Sequence, residues 1–187
     1  MNTKTKKLST VSMVLCGMFA ALVAIGAFIQ IPVPYMDYFT LQFFFVLLAG
    51  LILGADKGAI SVGCYVLLGL VGVPIFAAGG GIGYIFRPSF GYLVGFIVSA
   101  YVTGKVCEKL KASYKNYLLA CLAGFVVTYA IGIVYKFIIL NFYAHTPATL
   151  GVIFLSCFPL DMPGDFVLCL LAAGVGFRMR KSGFYLS

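Results

Sequence analysis

The amino-acid sequence points to an all-α integral membrane protein, a six-transmembrane-helix bundle that forms a single membrane domain over residues 1–187 with both termini cytoplasmic. Of the 187 residues, 63% are hydrophobic and 10% are charged, where a soluble domain carries about 25% charge. Apolar runs near the length that spans a bilayer, about 20 residues of helix, recur from one end of the chain to the other. When six spans are threaded through these runs, eleven of the thirteen basic residues fall on one side, which the positive-inside rule makes cytoplasmic. An even count of spans follows, and six is preferred to five or seven. A formal net charge of +8 would direct a soluble chain to nucleic acid. In a lipid-embedded chain it reports orientation, and no nucleic-acid partner is expected.

The first span, 8–31, follows Lys4, Lys6 and Lys7. It resembles a secretory signal with a cleavage site at Ala24-Ile25-Gly26, but its length and the spans that follow favour an uncleaved helix. Pro32 and Pro34 are expected to stop it. The second, 39–54, ends before Asp56 and Lys57, and the third, 58–76, is interrupted by Pro74 and by the glycines that follow. The fourth covers 89–106, and a polar stretch, 108–116, separates it from the fifth, 117–140. After a loop holding His145 and Pro147, the run 150–158 is too short to cross and is expected to be a re-entrant or surface piece. The sixth span is 163–177. The chain shows no repeat in two matching halves, which weighs against an inverted-repeat secondary transporter. Cys16, Cys64, Cys107, Cys121, Cys157 and Cys169 have neither CxxC nor metal-ligand spacing, so they read as small apolar fillers, and no metal or cofactor is expected.

Lys57, Lys105, Lys109, Lys111, Lys115, Arg178, Arg180 and Lys181 join the N-terminal lysines on the cytoplasmic side; Arg87 and Lys136 do not. Arg87 falls in the outer loop between spans three and four. Lys136 lies 19 residues after Tyr117, about 28 Å of helix rise, which carries its ammonium close to the outer interface. Asp161 and Asp165 begin span six on that side. Four charges thus gather in the outer third of the bundle, where an unpaired charge is costly and is usually tied to function. Each also has a plainer explanation. Asp161 is well placed to cap span six; Lys136 could snorkel to headgroups; Arg87 could be solvated or touch lipid phosphate; and His145 reads as a loop residue. Asp165, one turn inside Asp161, is beyond the reach of capping and is expected to meet a ligand or an ion-pair partner.

Gly79, Gly80, Gly81 and Gly83 precede Tyr84, Arg87 and Pro88 and match no nucleotide-binding loop. Glycines here would let the backbone turn and approach a ligand closely. Tyr84, Phe86, Phe90 and Tyr92 suggest a lid, although an aromatic belt at the interface would use the same residues. Along span one, Gly17, Ala20, Ala21, Ala24 and Ala27 form a small-residue face, suited either to packing inside the bundle or to docking on a partner.

Thr40-Leu41-Gln42, the run Leu48-Ala49-Gly50-Leu51-Ile52-Leu53-Gly54, the block Gly79-Gly80-Gly81-x-Gly83-Tyr84 followed by Pro88-Ser89-Phe90-Gly91-Tyr92-Leu93-x-Gly95-Phe96, and Pro163-Gly164-Asp165 resemble the BioY family. Members are the biotin-specific S components of energy-coupling factor (ECF) transporters. The resemblance implies a six-helix bundle with an outward-facing biotin pocket, and a complex with a transmembrane coupling subunit and two ATP-binding subunits. It also implies docking on the coupling subunit through Ala20 and Ala24. Relatives often carry a Lys three residues after the span-six Asp, where this chain has Leu168; Lys136 is read as supplying that cation. Arg87 stands where relatives have a small or variable residue, so its role rests on charge alone.

Biotin offers two ureido N–H donors, a carbonyl acceptor, an apolar bicycle and a terminal carboxylate. The expected ligand set is Thr40, Gln42, Gly79, Gly80, Gly81, Tyr84, Arg87, Ser89, Tyr92, Lys136, Asp161 and Asp165. In it Asp165 takes the ureido N–H groups, Lys136 keeps that acid ionised and donates to the carbonyl, and Tyr84 and Tyr92 cover the bicycle. Arg87 is the natural partner for the carboxylate, with Lys136 the other cation that could take it, and Thr40 and Gln42 add neutral hydrogen bonds. The competing expectation is a self-sufficient proton-coupled carrier of a small organic anion, with Asp161, Asp165 and Lys136 as its relay. No activated nucleophile or metal cluster points to an enzyme.

Overall fold

A computed structural model describes residues 9–32, 38–144, 146, 148–157 and 161–183. Lys4, Lys6, Lys7, Pro34, His145 and Pro147 lie outside them. Helix α1 (Thr10–Phe28) begins at Ser9, whose hydroxyl caps it by accepting from the Ser12 N–H at 3.2 Å. It stops short of residue 31 because Gln30–Pro32 (β1) pairs antiparallel with Tyr38–Thr40 (β2), Ile31 opposite Phe39. Helix α2 (Gln42–Leu53) therefore starts later than residue 39. Gly54, at φ 82°, turns the chain into α3 (Ala55–Val71), and Gly72, at φ 117°, ends α3 before residue 76. A 3₁₀ turn (Ile82–Phe86) leads to α4 (Phe90–Lys109) and α5 (Tyr114–Ile138). A π-helical turn (Ile139–Tyr143) prolongs α5. Asn141 then ties the following loop, donating to the carbonyls of Phe137 and Ala148, both at 3.0 Å, and accepting from the Ala148 N–H at 3.2 Å. The run expected to be too short to cross is α6 (Leu150–Cys157), of 8 residues. The last helix, α7 (Asp161–Lys181), is longer at both ends than 163–177. Asp161 in its first turn and Arg178, Arg180 and Lys181 in its last complement the helix dipole.

Helices α1, α2, α3, α4, α5 and α7 run side by side in alternating directions, as their contacts show. The start of α1 meets the start of α3 where Ser61 donates to the Cys16 carbonyl at 2.7 Å. The end of α4 meets the start of α3 where the Ala55 N–H donates to Glu108 Oε1 at 2.9 Å. The start of α5 meets the end of α7 where Arg180 donates to the Tyr117 hydroxyl at 3.1 Å. Lys57, Lys105, Lys109, Lys115, Arg178, Arg180 and Lys181 therefore share one end of the bundle. Among the described residues α1, α4, the continuous stretch Tyr114–Tyr143 and α7 are long and apolar enough to cross a membrane, while α2, with 12 residues, is apolar but shorter. Truncation of Glu108 to alanine is expected to cost about 1 kcal/mol, because it removes the carboxylate that satisfies the first turn of α3. Thermal melting in detergent checks this, and an unchanged midpoint would remove the contact from the stability of the bundle.

Glycines set the helix spacing. A Cβ on Gly91 would lie 2.3 Å from the Tyr135 Cβ, one on Gly132 2.5 Å from the Tyr92 ring, and one on Gly104 2.4 Å from the Ala55 nitrogen. Between apolar helices in lipid, where burial gains little, such close approach and the dispersion it brings hold the bundle together. Ala20 is buried in the core, 7% exposed, and Ala24 is half-buried. Ala20 thus packs against the bundle and Ala24 lies at its edge. The small residues that α1 leaves exposed are Gly17 and Ala21.

Candidate functional site

The bundle opens at the end opposite the basic residues. Helix α2, α4, α5 and α7 converge there, and the β1–β2 pair and the segment after α3 close over them. Antiparallel pairing with β1 brings Phe39 and Thr40 to the rim. The cavity between these elements is lined by Phe39, Thr40, Gln42, Phe43, Ala77, Tyr84, Ser89, Tyr92, Leu93, Phe96, Tyr129, Lys136, Asp161 and Asp165. Eight of the expected ligand residues therefore meet at one place: Thr40, Gln42, Tyr84, Ser89, Tyr92, Lys136, Asp161 and Asp165.

Gly79, Gly80, Gly81 and Arg87 are not part of this lining. The glycines act one step back from it. Gly79 and Gly81 have φ of 111° and 98°, and a Cβ on Gly80 would sit 2.4 Å from the Val73 carbonyl oxygen. The Gly81 N–H donates to the Gly69 carbonyl at 2.7 Å. The segment thus folds back on the end of α3, which brings Ala77 and Tyr84 to the cavity. Arg87 is exposed, with its guanidinium carbon 5.3 Å above the Tyr84 ring, a cation–π stack outside the cavity. The 3₁₀ turn itself is clasped to α5, where Tyr135 donates to the Ile85 carbonyl at 2.6 Å and Phe86 stacks on Tyr143 at 4.7 Å.

Inside, Tyr129 donates to Asp165 Oδ2 at 2.8 Å, which orients the carboxylate. Gly164 makes room beside it for the Phe39 ring, 2.4 Å from where a Cβ would be. The Tyr92 hydroxyl and the Cys157 thiol share a hydrogen bond at 3.0 Å. The Tyr92 and Tyr129 rings meet edge to face at 5.8 Å, and Tyr129 packs on Phe125 at 4.7 Å. Phe43 and Phe96 stack at 5.8 Å to form an apolar wall. Ser89 Oγ is buried without a hydrogen-bond partner. Lys136 donates to Ser156 Oγ at 3.4 Å. Lys136 and Asp165 share the cavity without touching, since the one ion pair among the described residues joins Lys105 to Glu108 at 3.5 Å.

Phe39, Phe43, Ala77 and Tyr129 line the cavity without having been singled out in the sequence, and Leu93 and Phe96, which carried only the resemblance, line it too. Tyr129 carried a signal: it stands seven residues before Lys136, two helical turns along the same face of α5. Among the described residues no cluster of His, Cys, Asp and Glu side chains is arranged to hold a metal. Aromatic walls with a few converging acceptors and donors and one ammonium suit a small, partly apolar organic molecule that carries its own hydrogen-bonding groups.

The BioY family model matches residues 1–183. The chain belongs to the BioY family. It is 40% identical over 177 residues to a Lysinibacillus sphaericus protein named "Probable biotin transporter BioY", covering 94% of this chain and 90% of that one. It is 38% identical over 169 residues to the biotin transporter BioY of Thermotoga maritima, covering 88% and 93%. Among solved structures, it superposes with a TM-score of 0.82 and 25% identity on the S-component for biotin from an ECF-type ABC transporter, covering 99% of this chain and 97% of the other. The BioY chain described here is a multi-pass membrane protein of a transport family and not an enzyme. Its glycine-to-GYxxGF block now has a physical reading. Gly91 and Gly95 let α4 lie against α5 at Tyr135 and Thr128, and this close contact points Tyr92 into the cavity.

Proposed function

We propose that this chain is the biotin-binding S component of an ECF transporter. It takes biotin with high affinity from outside the cell for ATP-driven uptake with partner subunits. The observation that carries the reading is the cavity at the end away from the basic residues, where Asp165, oriented by Tyr129, faces aromatic walls. A cyclic urea presents N–H donors that a carboxylate accepts, and its fused apolar ring suits Tyr92, Phe43 and Phe96. The names of the relatives and of the matching S component agree with this ligand.

Six crossing helices with both ends cytoplasmic follow from placing the basic end inside, and the cavity then faces outward in the cell membrane. The chain carries no phosphate-binding loop, so energy comes from a transmembrane coupling subunit and two ATP-binding subunits. The coupling subunit docks on the small-residue face of α1 with Ala20 and Ala24, beside the exposed Gly17 and Ala21. Isothermal titration of the purified chain in detergent is expected to give a Kd in the nanomolar range for biotin and no measurable heat with thiamine or riboflavin. Equal binding of the three vitamins would overturn the ligand. Ion-gradient-driven accumulation in liposomes holding this chain alone would favour a self-sufficient carrier instead.

A further inference from the structure

We propose that Lys136, supported by Ser156 of α6, is the subsite that takes the ligand's carboxylate, and that the hydrogen-bonding head of the ligand lies about two helical turns deeper at Asp165 and Tyr129. The inference rests on the biotin-binding reading and fixes which way round the ligand sits.

The Ser156 hydroxyl gives its proton to the Ile153 carbonyl at 2.7 Å and accepts from the Lys136 ammonium at 3.4 Å. Ser156 therefore orients the ammonium without neutralising it. Among the described residues this long contact is the only hydrogen bond that Lys136 makes, and no carboxylate lies within ion-pair distance of it. The remaining N–H groups of a half-buried ammonium in an apolar bundle call for an anionic acceptor. Asp165 does not supply one, because its carboxylate faces Tyr129 on another part of the wall.

Tyr129 and Lys136 both line the cavity from α5 and are seven residues apart, about 10 Å of helix rise. The Asp165–Tyr129 pair thus marks the deep end of the cavity, and Lys136 marks the end nearer α6. A molecule with a hydrogen-bonding ring at one end and a carboxylate at the end of a flexible chain spans such a pair of sites when extended. Arg87, the other cation on this side of the bundle, is exposed, with its guanidinium over the Tyr84 ring, and is absent from the lining. Of the two cations that the sequence leaves open for the carboxylate, Arg87 and Lys136, the one in the cavity is Lys136.

The test compares biotin with its neutral methyl ester by isothermal titration of the full chain in detergent. The unaltered chain should bind biotin at least about tenfold more tightly than the ester. Lys136→Gln should weaken biotin by about thirtyfold or more and leave the ester within about threefold, while Lys136→Arg should keep most of the preference for biotin and Arg87→Gln should leave it intact. Retained ester binding shows that the variant is folded. The inference is overturned if the unaltered chain binds the two ligands equally, if Lys136→Gln weakens both alike, or if Arg87→Gln alone abolishes the preference. Failure of the unaltered chain to bind either molecule overturns the biotin reading itself, and with it the subsite.

Discussion

Asp165→Asn is expected to weaken biotin binding about a hundredfold while leaving the melting temperature of the ligand-free protein almost unchanged. The Asp165 carboxylate is an acceptor at both oxygens, one of which receives the Tyr129 hydroxyl at 2.8 Å. That leaves the other for a ligand N–H. An asparagine of the same shape that keeps accepting from Tyr129 turns its amide N–H groups toward the ligand, where donor then faces donor. Losing a charge-assisted hydrogen bond costs about 1.5–3 kcal/mol, and the opposed donors add to it. Tyr129→Phe keeps the acceptor but releases its orientation, so a smaller loss, about tenfold, is expected. Titration calorimetry reads both variants. An Asp165→Asn protein that binds within about threefold of the unaltered chain would remove this carboxylate from the ligand's contacts.

Gly91→Leu should lower the melting temperature in detergent by about 10 °C and abolish biotin binding, since overpacking a tight interface costs about 3 kcal/mol. The Cβ alone would fall 2.3 Å from the Tyr135 Cβ, so α4 and α5 must separate. Their separation shifts Tyr92 away from the cavity and strains the Tyr135 hydroxyl's hold on the Ile85 carbonyl. Gly17→Leu is the matched control. Nothing lies within 4 Å of its added Cβ, and its melting temperature and biotin affinity should equal those of the unaltered chain. A Gly91→Leu protein that melts and binds normally would mean that the two helices have slack, contrary to the contacts at Gly91, Gly95 and Gly132.

Much of the layout can be read from the residues in order, because lipid imposes a one-dimensional code. Apolar runs mark helices and basic residues mark one end, so the alternation of α1 to α5 and α7 was accessible, and so was the gathering of Lys136, Asp161 and Asp165 at the other end. Helix limits were less accessible. The limits near residues 31 and 39 depend on β1 pairing with β2, a contact between segments whose hydropathy continues that of the helices. The glycine pattern marked the right stretch but not the neighbours that the fold gives it. Gly80 is small because the Val73 carbonyl lies against it, a fact carried by the turn after α3 and not by the block. Similarly, Arg87 and Lys136 are both basic residues expected on the outer side. Only the tertiary fold places one over the Tyr84 ring and the other in the cavity lining.

By itself the sequence determined that this chain lives in lipid, which end of it is basic, and which family it resembles, since each of these depends on the kind and order of residues alone. The tertiary structure decided which side chains share a cavity, that Tyr129 orients Asp165, and which cation lines the cavity. These depend on distances between residues far apart in the chain. Close helix approach at glycines sets those distances, and no local pattern encodes the neighbour that a glycine admits.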